Sequence, residues 1–284
     1  MALVSVIIPN FNRAVYVARA IFSALIQDYP QKEIIVVDDG STDLSPFAYQ
    51  MFKGKIKVFF HGENKGSSCA RNTGILASKG DYISFLDSDD YWLPGKLSLQ
   101  IRRMETGSQW VSQTQEYWIR RGRFVNPNRP NIKRGGDLFS LSLKRCYMSP
   151  SCVMLRREVL EKVGLFDEDL KAAEDYELWI RVSSLYPIAL LQEHLAVREM
   201  GKRFHLSQRK EGIEFWRILG LVRILRRWPL DPERKREALS ELTRKLLIYR
   251  KGAQKRGRGL TLRLVDSMVT VLKRQLGGFG DGEI

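Results

Sequence analysis

The stretch Gly80 to Pro94 constrains this chain most, because a short apolar strand, Tyr82 to Leu86, opens directly onto Asp87, Asp89 and Asp90. An apolar run ending in carboxylates fits the carboxyl edge of a strand in an open α/β sheet, and ligands bind at that edge. Asp87 and Asp89 stand two residues apart, so in extended backbone their side chains project to one side, about 6 to 7 Å apart along the chain. Carboxylate oxygens at that spacing suit a shared Mg²⁺ or Mn²⁺, with substrate phosphate and water filling the remaining positions. The same residues would also serve as an acidic turn capping the helix that begins near Pro94 or Lys96.

Upstream, apolar runs alternate with helical periodicity. Val4 to Pro9 reads as a central strand, and Asn10-Phe11-Asn12-Arg13 leads into a helix through Val17, Ile21, Ala24 and Leu25. A second strand, Glu33 to Val37, ends in Asp38-Asp39-Gly40-Ser41-Thr42-Asp43; a helix to about Phe52 and a third strand at Ile56 to Phe60 follow. This β-α-β-α order favours a parallel sheet. No GxGxxG follows the first strand and no GxxxxGK[ST] occurs, so a bound nucleotide would be held by carboxylates, basic side chains and a metal. Lys65 and Arg71 flank a Gly/Ser helix start, either as a diphosphate seat or with Arg71 as a solvated helix residue.

Downstream, strands are expected from Trp110 to Val125 with a turn at Arg121-Gly122, then a basic loop from Asn126 to Gly136 that reads as a lid, an acceptor contact or a surface insertion. A strand at Ser151 to Leu155, a helix at Arg157 to Val163 and a turn at Gly164 to Glu168 lead to Glu174-Asp175-Tyr176-Glu177-Leu178-Trp179. Adjacent helical residues diverge by about 100°, so only one of Glu174 and Asp175 is expected to face a site; Asp175 would equally cap its helix. Two further strands are expected, at Ile188 to Leu191 and Leu195 to Arg198.

Beyond Ser207 the chain becomes basic and helical, with apolar stripes through Phe215, Leu219, Val222 and Leu225, then Leu239, Leu242, Leu246 and Tyr249, then Val265, Met268 or Val269, Leu272 and Leu276. The formal net charge is +15. It implies an anionic partner and does not choose among phosphate-bearing substrate, membrane surface and nucleic acid. The tail reads either as peripheral attachment to an anionic membrane or as a subdomain packed on the core or on another subunit. Cys69, Cys146 and Cys152 form no CxxC pair and, with three histidines, no zinc spacing. A reducing cytoplasm is the expectation. With no leader pattern and no spanning apolar run, the chain is expected to be neither secreted nor integral in a membrane.

Together, Val4 to Asn12, Val36 to Asp43, Ala70-Arg71-Asn72-Thr73-Gly74 with Leu86-Asp87-Ser88-Asp89-Asp90, and Glu174 to Trp179 resemble, in order and spacing, the inverting family-2 glycosyltransferases of the GT-A fold. The resemblance covers about residues 3 to 207. It implies an α/β fold with a mixed sheet flanked by helices, a catalytic domain over 1–206 and a basic helical extension over 207–284. It implies a nucleotide-diphosphosugar donor, usually a UDP-sugar. Asp39 would accept from the base, Pro9, Asn10, Phe11 and Asn12 would line its pocket, and Arg71 would sit near the base and diphosphate. Asp87-Ser88-Asp89 would be the DXD motif, with Asp89 the direct Mn²⁺ or Mg²⁺ ligand and Asp87 towards the ribose or a metal-bound water. Asp175 would be the general base. The implied acceptor is a cell-envelope glycan or lipid-linked sugar, met in the cytoplasm or on the inner face of the membrane.

The chain departs from the family where many members carry a histidine just before Leu206-Ser207, a role left vacant or passed to Lys202 or His205. The processive members' Gln-x-x-Arg-Trp motif is also absent, so single-sugar transfer is expected. Three alternatives stand beside this reading. A nucleotidyltransferase of the same fold would need a glycine-rich basic loop that Asn10-Phe11-Asn12-Arg13 does not supply. A nucleic-acid-binding protein rests on the tail alone, and the acidic centre would repel phosphate unless a metal intervened. A catalytically silent relative is opposed by the intact Asp39, Asp87, Asp89 and Asp175.

Overall fold

The computed structural model describes residues 1–125, 132–200, 212–255 and 267. Among them the strands are β1 (Val4–Asn10), β2 (Lys32–Asp38), β3 (Lys57–Phe60), β4 (Tyr82–Phe85), β5 (Tyr91–Trp92), β6 (Val111–Arg120), β7 (Arg123–Val125), β8 (Val153–Arg156) and β9 (Ile188–Met200). They form one sheet in the order β3-β2-β1-β4-β8-β6-β9-β5, with β7 paired to β6. The first four strands are parallel, as the β-α-β-α order requires. The sheet then becomes mixed: β8 inserts between β4 and β6 and runs against both, while β9 runs parallel to β6. Register places Asn10 beside Asp38, and Ile7 beside Phe85, so the loops after β1, β2 and β4 leave from one edge.

Side-chain alternation gives this sheet two cores. Val4, Val6 and Ile8 face α1 (Ala14–Leu25) and α4 (Lys96–Thr106), which contribute Val17, Ile21, Leu97, Ile101 and Met104. Ile7, Ile83 and Phe85 face the opposite way, against Ile75 of α3 (Ser67–Ala77), Val159 of α6 (Arg157–Val163), and Leu178, Trp179 and Val182 of α7 (Glu174–Leu185). Each such side chain, fully withdrawn from water, contributes roughly 1.5–3 kcal/mol. Two short helices complete the layers, α2 (Ser45–Gln50) and α5 (Phe139–Lys144).

Two expectations change. The segments Ile188–Leu191 and Leu195–Arg198 belong to one strand. Its pairing with β6 jumps from Thr114↔Leu191 to Gln115↔His194 and then to Glu116↔Ala196, so Gln192-Glu193 and then Leu195 are bulged out of the ladder and the strand is not broken. The tail's first stripe is turned: α8 (Ile213–Arg227) buries Ile218, Leu221 and Ile224, whereas α9 (Pro232–Lys255) buries Leu239, Leu242 and Leu246 as its pattern requires. Both helices share an apolar cluster with Phe139, Leu143, Ala173, Tyr176 and Ile180, so they pack onto the catalytic body. The Arg234–Asp137 ion pair (3.0 Å) adds a polar tie between the same layers. Among the described residues no helix is long and apolar enough to cross a membrane. Residues 126–131 of the basic loop, Lys202, His205 and the third apolar stripe lie outside the described residues.

Candidate active site

The loops after β1 and β2 are latched to each other. Asn12 adopts a left-handed backbone (φ 53°), and its Oδ1 accepts from the N–H groups of Thr42 (2.7 Å) and Asp43 (3.2 Å). Its own N–H donates to Ser41 Oγ (2.9 Å). Asn10 is buried, and its amide donates to Ser45 Oγ (2.9 Å) and Tyr49 Oη (2.7 Å), while Tyr49 donates to Asp38 (2.5 Å). Asn10 is therefore a brace under the loop, whereas Pro9 is half-buried and Phe11 is open to solvent.

Asp39 is almost fully engaged. Its Oδ1 meets His61 Nδ1 (2.7 Å) and the Lys65 N–H (2.9 Å), and its Oδ2 accepts from the Gly66 N–H (2.8 Å). His61 reaches on through Nε2 to Thr73 Oγ1 (3.0 Å). Gly40 permits this folding-in, because a Cβ there would sit 2.6 Å from the Glu63 carbonyl carbon, and its φ is +77°. With three donors on Asp39, further acceptor capacity remains on Oδ2. The Lys65 side chain is exposed at the start of α3.

Arg71 is a buried clamp instead of a solvated helix residue. Its guanidinium donates to Glu174 Oε1 (2.6 Å) and Asp87 Oδ1 (2.8 Å) and lies 5.3 Å from the centre of the Phe166 ring. Burial works against its charge, but the carboxylates of Asp87 and Glu174 outweigh that and hold its pKa above the ordinary guanidinium value. Ser67 Oγ also donates to Glu174 (2.6 Å). The Ala-Arg-Asn-Thr-Gly segment thus ties the acidic turn to the start of α7, and Asn72 adds bonds to the Phe166 backbone in both directions (2.9 and 3.0 Å).

Of the Glu174-Asp175 pair, Glu174 turns inward to Arg71, while Asp175 is half-buried and bonds Cys146 instead, as the angular separation requires. Both follow Ala173, which is held at φ 59°, an uncommon backbone for a residue with a Cβ. Asp175 Oδ1 accepts from the Tyr176 N–H (2.8 Å), and Oδ2 accepts from the Cys146 thiol (3.1 Å). Burial and the adjacent Glu174 charge raise its pKa, opposed by Arg71. Burial and Asp175 in turn push the Cys146 thiol well up, so it remains a protonated donor.

In the acidic turn, Ser151 Oγ donates to Asp90 Oδ2 (2.7 Å) and accepts from the Asp87 N–H (3.2 Å). Burial and the charges of Asp89 and Asp87 push Asp90 well up. Asp89 Oδ2 pairs with Arg13 (2.7 Å), and Ser88 is buried. Among the described residues no hydrogen bond to Asp87 Oδ2 or Asp89 Oδ1 occurs. No cluster of three metal-ligating side chains occurs among the described residues. Carboxylate oxygens are hard ligands that suit Mg²⁺ or Mn²⁺ completed by substrate oxygens, and Asp87 and Asp89 do not by themselves make a self-sufficient metal site.

Behind the turn, Glu116 pairs with Lys133 (3.3 Å). Burial opposes its ionisation, yet Lys133 and Arg198 hold Glu116 down to about 2. Desolvation works against the charge of Arg198, although the residue as a whole is exposed, but Glu116, Asp90 and Asp87 keep its pKa raised. Cys146, Ser151 and Arg198 carry no local motif that would have singled them out in the sequence; only the mixed sheet brings them to the cleft.

The fold and these acidic elements define a GT-A-type sugar-transferase architecture. A family model for glycosyl transferase family 2 matches residues 5–164, more than half of the chain, and the chain belongs to that family. An uncharacterized glycosyltransferase of Rickettsia conorii is 34% identical over 195 residues, covering 68% of this chain and 32% of that protein. The chain thus spans about a third of that relative's length, and the match covers 60% of a second, from Rickettsia typhi. WfaP of Escherichia coli, a UDP-Glc:alpha-D-GlcNAc-diphosphoundecaprenol beta-1,3-glucosyltransferase, is 36% identical over 189 residues, or 65% of this chain and 71% of WfaP. The fold resembles S. aureus TarS 1-349 in complex with UDP-GlcNAc, with TM-score 0.73 and 23% identity over 88% of this chain and 74% of that one. It also resembles mannosyltransferase PcManGT of Pyrobaculum calidifontis in complex with GDP-Man and Mn²⁺, with TM-score 0.64 and 19% identity over 99% of this chain and 76% of that one.

Proposed function

We propose that the chain transfers one sugar, with inversion, from a nucleoside-diphosphate sugar, UDP-linked by preference, to a hydroxyl of a lipid-linked envelope glycan. The observation that carries this reading is the Arg71 clamp. By bonding Asp87 and Glu174 at 2.8 and 2.6 Å, it ties the acidic turn to the helix that presents Asp175. In this reading, the latched loops of Phe11, Asn12 and Asp39 receive the nucleoside, and the exposed Lys65 stands where the diphosphate would lie. Asp175 is the general base. Its raised pKa makes it a stronger proton acceptor than an ordinary aspartate, and the Cys146 thiol fixes its orientation while leaving lone pairs for the acceptor hydroxyl. The carboxylates of Asp87 and Asp89 would hold Mg²⁺ or Mn²⁺, which when bound neutralises charge gathering on the leaving diphosphate. Arg13 and Arg198 add positive charge around the same turn.

The acceptor class is supported by the sequence similarity to WfaP, and such an acceptor would be met at the cytoplasmic face of a membrane. The test is a pair of variants. Asp89→Ala should lose metal-dependent UDP binding, whereas Asp175→Asn should bind UDP like the wild type and lose transfer by roughly a thousandfold or more. Normal transfer by Asp175→Asn would overturn the base assignment.

A further inference from the structure

We infer that the β6–β7 hairpin is an arm that docks the protein on an anionic lipid surface. This goes beyond the donor site and depends on none of its residues. β6 runs in the same direction as β4, since both oppose β8, and Val111 is level with Ile83 through Leu155. From that level β6 continues for nine residues to Arg120, whereas the acidic turn begins four residues on, at Asp87. Across β9, Ile119 is level with Glu199, whose N–H donates to Asp90 Oδ1 (3.3 Å), so the tip of the hairpin lies at the same edge of the sheet as the acidic turn.

What the arm carries is unusual for a hairpin that meets only water. Arg120 and Arg123 are directly opposed cross-strand partners, an arrangement of like charges that destabilises a ladder. Between them Arg121 is held at φ 51° and Gly122 at φ 73°, a tight turn whose first position favours asparagine or glycine over arginine. Among the described residues none of the three arginines has a carboxylate within ion-pair distance. The adjoining face is apolar: Phe124 is 72% exposed, opposes Ile119 and packs edge-on against Tyr117, which stacks on His194.

Three uncompensated guanidinium groups around exposed aromatic side chains match the two layers of a bilayer surface, anionic headgroups above and acyl chains below. The described part of the basic tail fits that role less well, because α8 and α9 already use Ile218, Leu221, Ile224, Leu239, Leu242 and Leu246 to cover α5 and α7. Docking through the arm would turn the site's edge of the sheet toward the lipid.

The test is co-sedimentation of the full chain with vesicles of phosphatidylcholine alone or containing about 30% phosphatidylglycerol. Wild type should bind only the anionic vesicles, with an affinity that falls as salt rises. Combined Arg120→Gln, Arg121→Gln and Arg123→Gln should weaken binding about fivefold per arginine, about a hundredfold together, and Phe124→Ser about tenfold. The triple variant should melt at or above the wild-type temperature, because it removes the like-charge pair. UDP titration of the same samples should be unchanged, which separates this proposal from the donor site. Wild-type vesicle binding by the triple variant would overturn the proposal. So would binding of inorganic diphosphate at these arginines without any affinity for vesicles, which would make the arm a phosphate receptor instead.

Discussion

The loops after β1 and β2 and the interior behind the acidic turn are both rich in polar groups, yet they handle charge in opposite ways. In the loops, Asp39, Asn10 and Asn12 are bonded to near neighbours at 2.7–3.2 Å, so that region is built before any ligand arrives. In the interior, Glu116 is matched by Lys133 and Arg198, but other charge is left unbalanced. Asp90 and Asp175 are pushed up, and Lys96, which is fully buried, is brought down to about 7 by burial. Lys96 finds Gln100 Oε1 (2.5 Å), Ser84 Oγ (3.3 Å) and the Trp92 ring, and no carboxylate among the described residues. Preorganised loops suit binding, whereas perturbed ionisation concentrates where proton and charge movement takes place.

The contrast breaks first at Lys96. Its folded pKa lies below the unfolded value near 10.4, so between about pH 7 and 10 the unfolded chain holds more protons and stability rises with pH. Relative to Lys96→Met, the wild type should gain on the order of 3–4 kcal/mol of unfolding free energy from pH 7 to 10, read from denaturant midpoints. A parallel pH dependence in both proteins would show that Lys96 is charged and matched, and that the interior is balanced after all.

A smaller effect tests the loops. Asn12→Ala removes the acceptor for two backbone N–H groups and places a Cβ-bearing residue at φ 53°, at a cost of about 1–2 kcal/mol in stability. UDP affinity should fall severalfold. Asn12→Gly, which relieves the backbone and not the hydrogen bonds, should recover only part of the loss. Full recovery with glycine would mean that the latch does nothing beyond shaping the turn.

Much of this was legible in the chain itself. The apolar runs Val4–Pro9 and Tyr82–Leu86 place two central strands and their carboxylate-bearing ends, because alternation and a polar stop are local signals. Asp39, Asp87, Asp89 and Asp175 were each marked by a strand end or a helix start. The character of Arg71 was not legible: burial between Asp87 and Glu174 arises from contacts over 16 and 103 residues. Nor was the reversal at β8 or the continuity of β9, since a bulge at Gln192-Glu193 has the same polar composition as a loop. The α8 stripe was misread because Phe215, Leu219, Val222 and Leu225 are as apolar as Ile218, Leu221 and Ile224, and only α5, α7 and α9 decide which face is covered.

The central claim is a preformed nucleoside site joined to an acidic turn that completes a cation's coordination only with a donor diphosphate. Calorimetric titration of the full chain with UDP, GDP and dTDP, each with and without Mn²⁺, tests it most directly. Binding of one nucleotide, UDP by this account, that appears only with Mn²⁺ is the predicted result. Failure of all three to bind with Mn²⁺ present would contradict it.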